Sequence, residues 1–184
     1  MKKNIFICSM IILSLSLSNL IIINIKINID SNNNKLVIEE FNNIYDYTNL
    51  DYSTELIKET ANLEINGIDY VGIITIENEI LSLPIKSNCN NNILNNTTTC
   101  KYNGNPFILL GTNLKNSFSS YKNYNINDKV IFTNTLGEKY LYKIEKIKRV
   151  DDLKNISQHN YSDLIIIVKD YYDLNYILFI CKIA

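Results

Sequence analysis

Apolar residues are distributed very differently in the first 25 positions and in the rest of the chain. Lys2 and Lys3 precede an uncharged run from Asn4 to Ile25, which Lys26 ends. About 20 mostly apolar residues suffice to cross the hydrocarbon core of a bilayer. Residues 1–29 are therefore predicted to form a transmembrane segment, with the lysine pair on the cytoplasmic side and the remainder outside. A cleaved signal peptide is the alternative, but no small-residue cleavage site follows the run, which favours an uncleaved signal anchor.

Residues 30–62 are polar and rich in tyrosine and asparagine. This composition predicts a stalk or linker. Ser53 is a suitable N-cap for a short helix that would continue to Ala61, with Leu56 and Ile57 on one face. The prediction for this region is therefore a stalk followed by a short helix.

The pattern changes to short β segments from about Leu63 onward. Apolar and polar residues alternate from Tyr140 to Glu145, as in a half-buried strand, and residues 135–138 form a hairpin turn that contains Gly137. The run Leu164–Val168 is continuously apolar, which is typical of a central strand. Seven or more short strands with few helices predict a closed β barrel over residues 63–184. The predicted strands are Tyr70–Ile76, Ile80–Ile85, Phe107–Gly111, Lys129–Asn134, Lys139–Val150, Leu164–Val168 and Tyr176–Ile183.

Composition excludes some classes of function. The 184 residues suit one domain with a short appendage. The formal net charge of −1 does not suggest a nucleic-acid-binding protein, which would normally show a basic face. The spacing of cysteines and histidine matches no metal site, and no motif indicates a cofactor. The chain is therefore predicted to use neither a metal nor a cofactor.

The ordered β segments resemble those of sortases. Val71–Ile76 and Leu81–Ile85 are similar to the opening sortase strands, and Gly111-Thr112-Asn113 is similar to the family's G-H-N segment. Asn127–Thr133 resembles G-D-x-V-x-F-T. The remaining similar segments are Gly137–Tyr142, Asp163–Lys169, which corresponds to D-L-T-L-x-T-C, and Tyr176–Lys182, which corresponds to R-x-x-V-x-C-K. The resemblance covers Gly67–Ile183 and implies a transpeptidase fold of the class B or D type at the surface of a Gram-positive-like cell.

Sortase chemistry needs three residue types that this resemblance does not find. A cysteine thiolate attacks the peptide carbonyl, a histidine protonates the leaving amine, and an arginine stabilises the oxyanion. The histidine position is Thr112, the cysteine position is Lys169 and the arginine position is Tyr176. The resemblance therefore implies a sortase fold without an intact catalytic triad.

The remaining histidine and arginine do not repair the triad. Arg149 is the only arginine and lies upstream of the cysteine-equivalent strand, whereas the family's arginine lies downstream. His159 is the only histidine and lies in a polar loop. We interpret both as surface residues. Loops do carry displaced catalytic residues in some proteins, so relocated chemistry is kept as the alternative.

Four cysteines are present. Cys8 lies in the apolar run and is interpreted as a small apolar residue. Cys89, Cys100 and Cys181 lie in the predicted outer domain, where an oxidising compartment permits one disulfide and leaves one cysteine over. Free buried thiols are the alternative interpretation.

The sequence therefore predicts a membrane protein with a single span and an extracytoplasmic sortase-like domain. A catalytically degenerate sortase homologue would bind a surface-protein peptide, a cell-wall component or an active sortase. The alternative is an active cysteine transpeptidase or hydrolase with relocated catalytic residues, and a gene copy without function is a third reading. Lys169, a lysine at the end of an apolar strand, is expected to extend to solvent. If it faces the cleft, it would bind a carboxylate or act as an amine nucleophile.

Overall fold

The computed structural model describes residues 2–44, 52–53, 57, 60–77, 82–89, 98–102, 106–153 and 162–184. Within these residues one α-helix, α1 (Lys2–Ile44), precedes ten strands. Its apolar half is long enough to cross a membrane and is not buried against the rest of the protein. The strands are β1 (Tyr52–Ser53), β2 (Leu63–Ile65), β3 (Ile68–Ile76), β4 (Leu83–Lys86), β5 (Cys100–Tyr102), β6 (Phe107–Thr112), β7 (Lys129–Asn134), β8 (Lys139–Val150), β9 (Leu164–Lys169) and β10 (Tyr176–Ile183).

Eight strands close into a barrel, as the sequence predicts. The order around the barrel is β3, β4, β5, β6, β9, β10, β8 and β7, and β7 pairs with β3 to close it. β6 and β9 are parallel, whereas β9 and β10 are antiparallel. β2 extends the sheet beside β3, and β1 adds a short parallel pairing to β8. The predicted fold class, a mainly β barrel that follows an N-terminal apolar helix, is confirmed.

Several individual strand predictions are also confirmed. β9 is buried at all six residues and lies between β6 and β10, as a central strand should. The hairpin of β7 and β8 turns at residues 135–138, where Gly137 has a φ of 82°. The Asn134 side chain accepts hydrogen bonds from the amides of Leu136 and Glu138, both at 2.9 Å. In β8, Tyr140, Tyr142 and Ile144 point into the core while Lys143 and Glu145 are exposed.

The prediction of a stalk after residue 29 is corrected by the structure. α1 continues without a break to Ile44. Its second half packs on the barrel through Asn34, Val37 and Phe41, which share one helical face because they are three, four and seven residues apart. Val37 and Phe41 contact Tyr70 and Ile73 of β3. The many asparagines around this stripe hid its periodicity in the sequence.

Most of the predicted short helix from Ser53 to Ala61, namely residues 54–56, 58 and 59, lies outside the described residues. Tyr52 and Ser53 pair with Lys139 and Tyr140 as a strand, and Ile57, Thr60 and Ala61 are not helical. Thr60 Oγ1 accepts a hydrogen bond from Lys101 Nζ at 3.0 Å.

Three apolar clusters hold the domain together. The inside of the barrel is filled from every strand of the closed ring except β5. A second cluster covers the outer face of β6, β9 and β10, where Ile108, Leu110, Ile165, Ile167 and Leu178 meet Cys100. The third lies under α1. The outer-face cluster matters for function because it continues directly into the candidate site. The largest fully buried side chains of the inner cluster are Phe118, Phe132, Tyr142 and Phe179.

Candidate functional site

Thr112, Lys169 and Tyr176 lie side by side on three adjacent strands. Thr112 is the register partner of Lys169 across the parallel pair of β6 and β9. Lys169 is in turn the partner of Tyr176 across β9 and β10. Register partners project their side chains to the same face of a sheet, and Lys169 shares the parity of Ile165 and Ile167, which lie in the outer-face cluster. The structure therefore brings the three predicted residues together in one row on the outside of the barrel.

The row presents a hydroxyl, an ammonium and a phenol ring. Thr112 is 1% exposed and Lys169 is 6% exposed. The Lys169 ammonium donates a hydrogen bond to the carbonyl oxygen of Leu174 at 3.2 Å and lies 4.1 Å from the centroid of the Tyr176 ring. A cation over an aromatic face is held by the ring quadrupole. These contacts fix the position of the Lys169 ammonium within the row, where it can attract a carboxylate or a carbonyl oxygen.

A buried polar network lies next to this row. Asp170, which is 0% exposed, accepts hydrogen bonds from Asn113 Nδ2 at 2.7 Å and from the Tyr121 hydroxyl. The amides of Tyr172 and Asp173 also donate to it, at 2.9 and 3.5 Å. Asn113 in turn accepts a hydrogen bond from the Tyr171 amide at 3.3 Å. The network joins the end of β6 to the turn between β9 and β10, so it holds that turn, residues 170–175, in place.

Ionisation of this network follows from its geometry. Burial alone would raise the pKa of the Asp170 carboxyl. The hydrogen bonds from Tyr121 and from the amides of Tyr172 and Asp173 outweigh burial and hold that pKa below its ordinary value. Burial and the hydrogen bond to Asp170 raise the pKa of Tyr121 to about 12. Asp170 is therefore a carboxylate and Tyr121 a neutral phenol across the physiological range.

Sequence reasoning missed Asn113 and Asp170. Each directly follows a predicted site residue at the end of a strand, and 57 positions separate them. Two polar residues at equivalent ends of strands were a usable signal. Only the parallel register of β6 and β9 shows that they meet.

The loop after β6 folds back tightly against the site. The amide of Thr112 donates to Ser117 Oγ at 3.0 Å, and Ser117 Oγ is 3.1 Å from Thr99 Oγ1. Gly111 permits this approach, because a Cβ there would lie 2.5 Å from both Ser117 Oγ and the Phe118 ring. The next residue back, Asn116, accepts a hydrogen bond through its carbonyl oxygen from Asn34 of α1 at 2.9 Å. The site and the helix are thus connected through one loop.

The four cysteines are accounted for. Cys89 and Cys100 form a disulfide, which resolves the pairing that the sequence left open. Cys181 is free and buried inside the barrel, and burial raises the pKa of its thiol well above the ordinary range. Cys8 is on the exposed surface of the apolar helix. No cysteine thiol lies in the row of Thr112, Lys169 and Tyr176.

Arg149 lies closer to the row than its sequence position suggested. It is the register partner of Ile177, and its neighbour Val150 pairs with Tyr176. Its guanidinium is 3.6 Å from the Asp173 carboxylate. His159 lies outside the described residues. Beside Arg149, an open groove of about 400 Å³ runs between β8, β10 and the 3₁₀ turn Tyr121–Asn123, with Lys122 and Lys148 also on its rim.

Metal binding has no support in the described part of the chain, where no three His, Cys, Asp or Glu side chains cluster to hold an ion. The site therefore consists of the row and the network behind it. The groove lies on the other face of β10, where Ile177 and Phe179 line it.

No protein-family model matches the sequence, and no curated protein matches it. The fold, in contrast, matches solved sortases. Sortase A of Listeria monocytogenes superposes with a TM-score of 0.52 at 15% identity, over 62% of this chain and 87% of that one. Sortase C1 of Streptococcus agalactiae gives 0.52 at 20% identity, over 66% and 70%. A sortase D5 transpeptidase of Clostridium perfringens gives 0.53 at 15% identity, over 70% and 84%. The chain therefore has a sortase-like fold. The equivalence of Thr112, Lys169 and Tyr176 to the family's catalytic positions stays a prediction.

Proposed function

We propose that this protein is a membrane-anchored, extracytoplasmic sortase-fold protein that binds a ligand at the row of Thr112, Lys169 and Tyr176 and does not carry out transpeptidation. The observation that carries the proposal is the composition of that row. Its three positions adjoin one another on adjacent strands, yet they supply no thiolate, imidazole or guanidinium. The ligand class is a surface-protein peptide, a cell-wall component or an active sortase.

The chemistry of acyl transfer supports the absence of turnover. A peptide carbonyl needs an activated nucleophile, and a thiolate serves because it is nucleophilic near neutral pH. The Lys169 ammonium is held by the Leu174 carbonyl and the Tyr176 ring, and an ammonium has no lone pair to attack with. Thr112 has no neighbouring general base among its described hydrogen-bond partners, which are the amide of Leu114 and, through its own amide, Ser117.

The positions of the cysteines also support the absence of turnover. Relocated thiol chemistry would require Cys181, because Cys89 and Cys100 are joined to each other and Cys8 lies in the apolar helix. The Cys181 side chain lies among the inner barrel residues, on the opposite face of the sheet from the row. Burial favours its neutral thiol, which is a poor nucleophile.

The row is better suited to binding than to bond cleavage. The Lys169 ammonium, largely buried beside the Thr112 hydroxyl, can hold a carboxylate or a peptide carbonyl by charge-assisted hydrogen bonds. The outer-face cluster of β6, β9 and β10 adjoins the row and is buried, so it supports the row from behind and is not itself a binding surface.

Cleavage is tested with full-length protein in detergent and sorting-signal peptides of the LPxTG type. The expected result is no cleavage and no thioester that hydroxylamine can trap. A triple replacement, Thr112→His with Lys169→Cys and Tyr176→Arg, should recover trace cleavage if the row occupies the catalytic positions. Each single replacement should remain inactive, because triad members act as a unit. Turnover by the unmodified protein that disappears in Cys181→Ala would establish the relocated-chemistry alternative instead.

Binding is tested separately with the same peptides immobilised on a surface. Lys169→Met should weaken retention at least tenfold, whereas Lys182→Met is the matched control. Lys182 lies on β10, and its side chain is 40% exposed near Asp163. Equal retention by the two variants would contradict a ligand site at Lys169.

Anchoring and orientation are tested on intact cells. Added protease should remove the region after Asp30 while the N-terminus stays protected. A full-length product in the soluble cytoplasmic fraction would contradict the anchor.

A further inference from the structure

The helix reaches the barrel almost at the point where its apolar run ends. Lys26 follows that run and is exposed, and Ile27 is already half-buried. Asn34 donates its hydrogen bond to the carbonyl of Asn116. Eight helical residues rise about 12 Å, so this contact lies about 12 Å along the helix from Lys26. A barrel held this way by an anchored helix rests at the bilayer surface, with no length of flexible chain to lift it away.

The loop that meets the helix is joined directly to the turn between β9 and β10. Asn116 belongs to the loop after β6, and Asn113 in the same loop bonds to Asp170 and to the amide of Tyr171. The loop after β6 therefore connects α1 to the β9–β10 turn, residues 170–175.

This turn carries two largely exposed apolar side chains. Among large apolar residues described outside α1, Tyr172 and Leu174 are the most exposed, at 86% and 69%. The amides of Tyr172 and Asp173 in the same turn donate hydrogen bonds to Asp170. Tyrosine and leucine side chains of this kind are typical of segments that lie in the headgroup region of a bilayer.

The backbone of Leu174 provides a second, independent indication. Its φ is 57°, in the left-handed region that a branched apolar side chain rarely adopts. The other described residues with positive φ are asparagines and glycines, namely Asn66, Asn127, Gly67, Gly72 and Gly137. An asparagine would suit position 174 better for folding. An exposed leucine in this unfavourable conformation is a candidate for a role beyond packing, although its carbonyl also holds the Lys169 ammonium.

Cations lie near the turn, together with Asp173 within it and Asp151 and Asp152 after the end of β8. Arg149 pairs with Asp173 of the turn, and Lys122 lies 5.8 Å from the Tyr121 ring centroid. Lys148 lines the groove that runs beside Arg149 between β8 and β10. Basic residues beside an apolar segment add attraction to anionic headgroups at a membrane surface.

We propose that the β9–β10 turn inserts Tyr172 and Leu174 into the headgroup region of the same bilayer that holds α1. The inference rests on the anchoring in the proposed function. In this arrangement the barrel contacts the membrane at two places, through α1 and through this turn. The Lys169 ammonium, bonded to the Leu174 carbonyl, is then held at the membrane surface, so its ligand is a group presented beside the bilayer.

The test uses full-length protein reconstituted in phosphatidylcholine vesicles, with and without phosphatidylglycerol. An environment-sensitive fluorophore is attached to Leu174→Cys in a Cys8→Ser background, and quenchers attached to lipid are added. Leu136→Cys is the matched control, because Leu136 is 63% exposed in the β7–β8 hairpin at the opposite end of the barrel. Cys181 is buried and does not compete for label. Label on native Cys8 reports separately on insertion of the helix.

The expected result is quenching at position 174 at least threefold stronger than at position 136, with strong quenching at Cys8. Equal, weak quenching at 174 and 136 together with a quenched Cys8 would overturn the insertion of the turn while leaving the anchor intact. An unquenched Cys8 would contradict the anchor itself, and with it this inference. Tyr172→Cys is the second variant, should Leu174→Cys not fold, and the same comparison with 136 decides.

Discussion

Replacing Asp170 by asparagine tests whether the buried network organises the β9–β10 turn and the site beside it. One carboxylate oxygen, Oδ1, accepts from Asn113, Tyr172 and Asp173, and the other, Oδ2, accepts from the Tyr121 hydroxyl. An asparagine placed with its oxygen at the Oδ1 position keeps the first three bonds. Its amide nitrogen then faces Tyr121, whose hydroxyl can turn to accept because a phenol is both donor and acceptor.

The structure sets the expected magnitude. A hydrogen bond to a charged partner contributes about 1.5–3 kcal/mol, and a neutral one about 1 kcal/mol. Asp170→Asn should therefore lower the free energy of unfolding by about 2 kcal/mol. Asp170→Ala leaves Asn113 Nδ2 and the Tyr121 hydroxyl unsatisfied and should lower it by about 4 kcal/mol. Tyr121→Phe, which leaves the carboxylate its other donors, should lower it by about 2 kcal/mol.

The assay is urea unfolding of full-length protein in detergent, followed by tyrosine fluorescence, since the chain has 13 Tyr and no Trp. The double variant with Asp170→Asn and Tyr121→Phe completes a thermodynamic cycle. Residues in one network couple by about 0.5–3 kcal/mol, so the two losses should not add. Additive losses, or a fully stable Asp170→Ala variant, would refute the account of the network.

The same variants have opposite pH signatures. The pKa of Asp170 is lowered on folding, so its contribution is present above the ordinary carboxyl range, about pH 4, and is lost as pH falls through the folded-state value. The stability difference between the unmodified protein and the Asp170→Asn variant should therefore shrink in acid. The pKa of Tyr121 is raised to about 12, so its contribution is present below about pH 10 and is lost as pH rises toward 12. Tyr121→Phe should reduce the loss of stability in that alkaline window.

Three further variants test other parts of the structure by the same unfolding assay. Phe41→Ala removes a fully buried ring and should cost about 3–4 kcal/mol, whereas Ile44→Ala, at an exposed position, should change little; equal effects would contradict docking of the helix. Gly111→Ala places a Cβ against the loop after β6 and should cost about 2 kcal/mol, more than the roughly 1 kcal/mol for Gly67→Ala, where space is open and only positive φ is unfavourable. Leu174→Asn should raise stability by about 0.5–1 kcal/mol, because asparagine tolerates left-handed φ; a marked loss would show that the leucine serves folding.

Much of the barrel could be predicted from the sequence because its strands are short, alternating and punctuated by turns. Leu164–Val168 is apolar at every position, and a strand buried on both faces is what results. The adjacency of Lys169 and Tyr176 was predictable from the ordered resemblance to sortases. These features depend on local pattern, which a single sequence carries.

The rest depends on tertiary register, which local pattern does not carry. The helix packs on the barrel through Asn34, Val37 and Phe41. Because this stripe begins with a polar residue and asparagines surround it, the sequence pattern predicted a linker instead of a helix. The contact of Asn113 with Asp170 requires the parallel pairing of β6 and β9. The disulfide between Cys89 and Cys100 depends on the loop geometry that brings two of three candidate cysteines together.

β10 lies between β8 and β9, which do not pair with each other. The ring therefore stays open until the last of its strands along the chain has been inserted, and the row of the site is incomplete until Tyr176 joins Lys169. Strand pairings between distant segments form slowly, because the chain loses conformational entropy before the new contacts offset that loss. During synthesis the edges of β8 and β9 would therefore stay unpaired until β10 is available. Substitutions within β10 should therefore affect the yield of folded protein more strongly than substitutions in β1 or β2, which lie outside the ring.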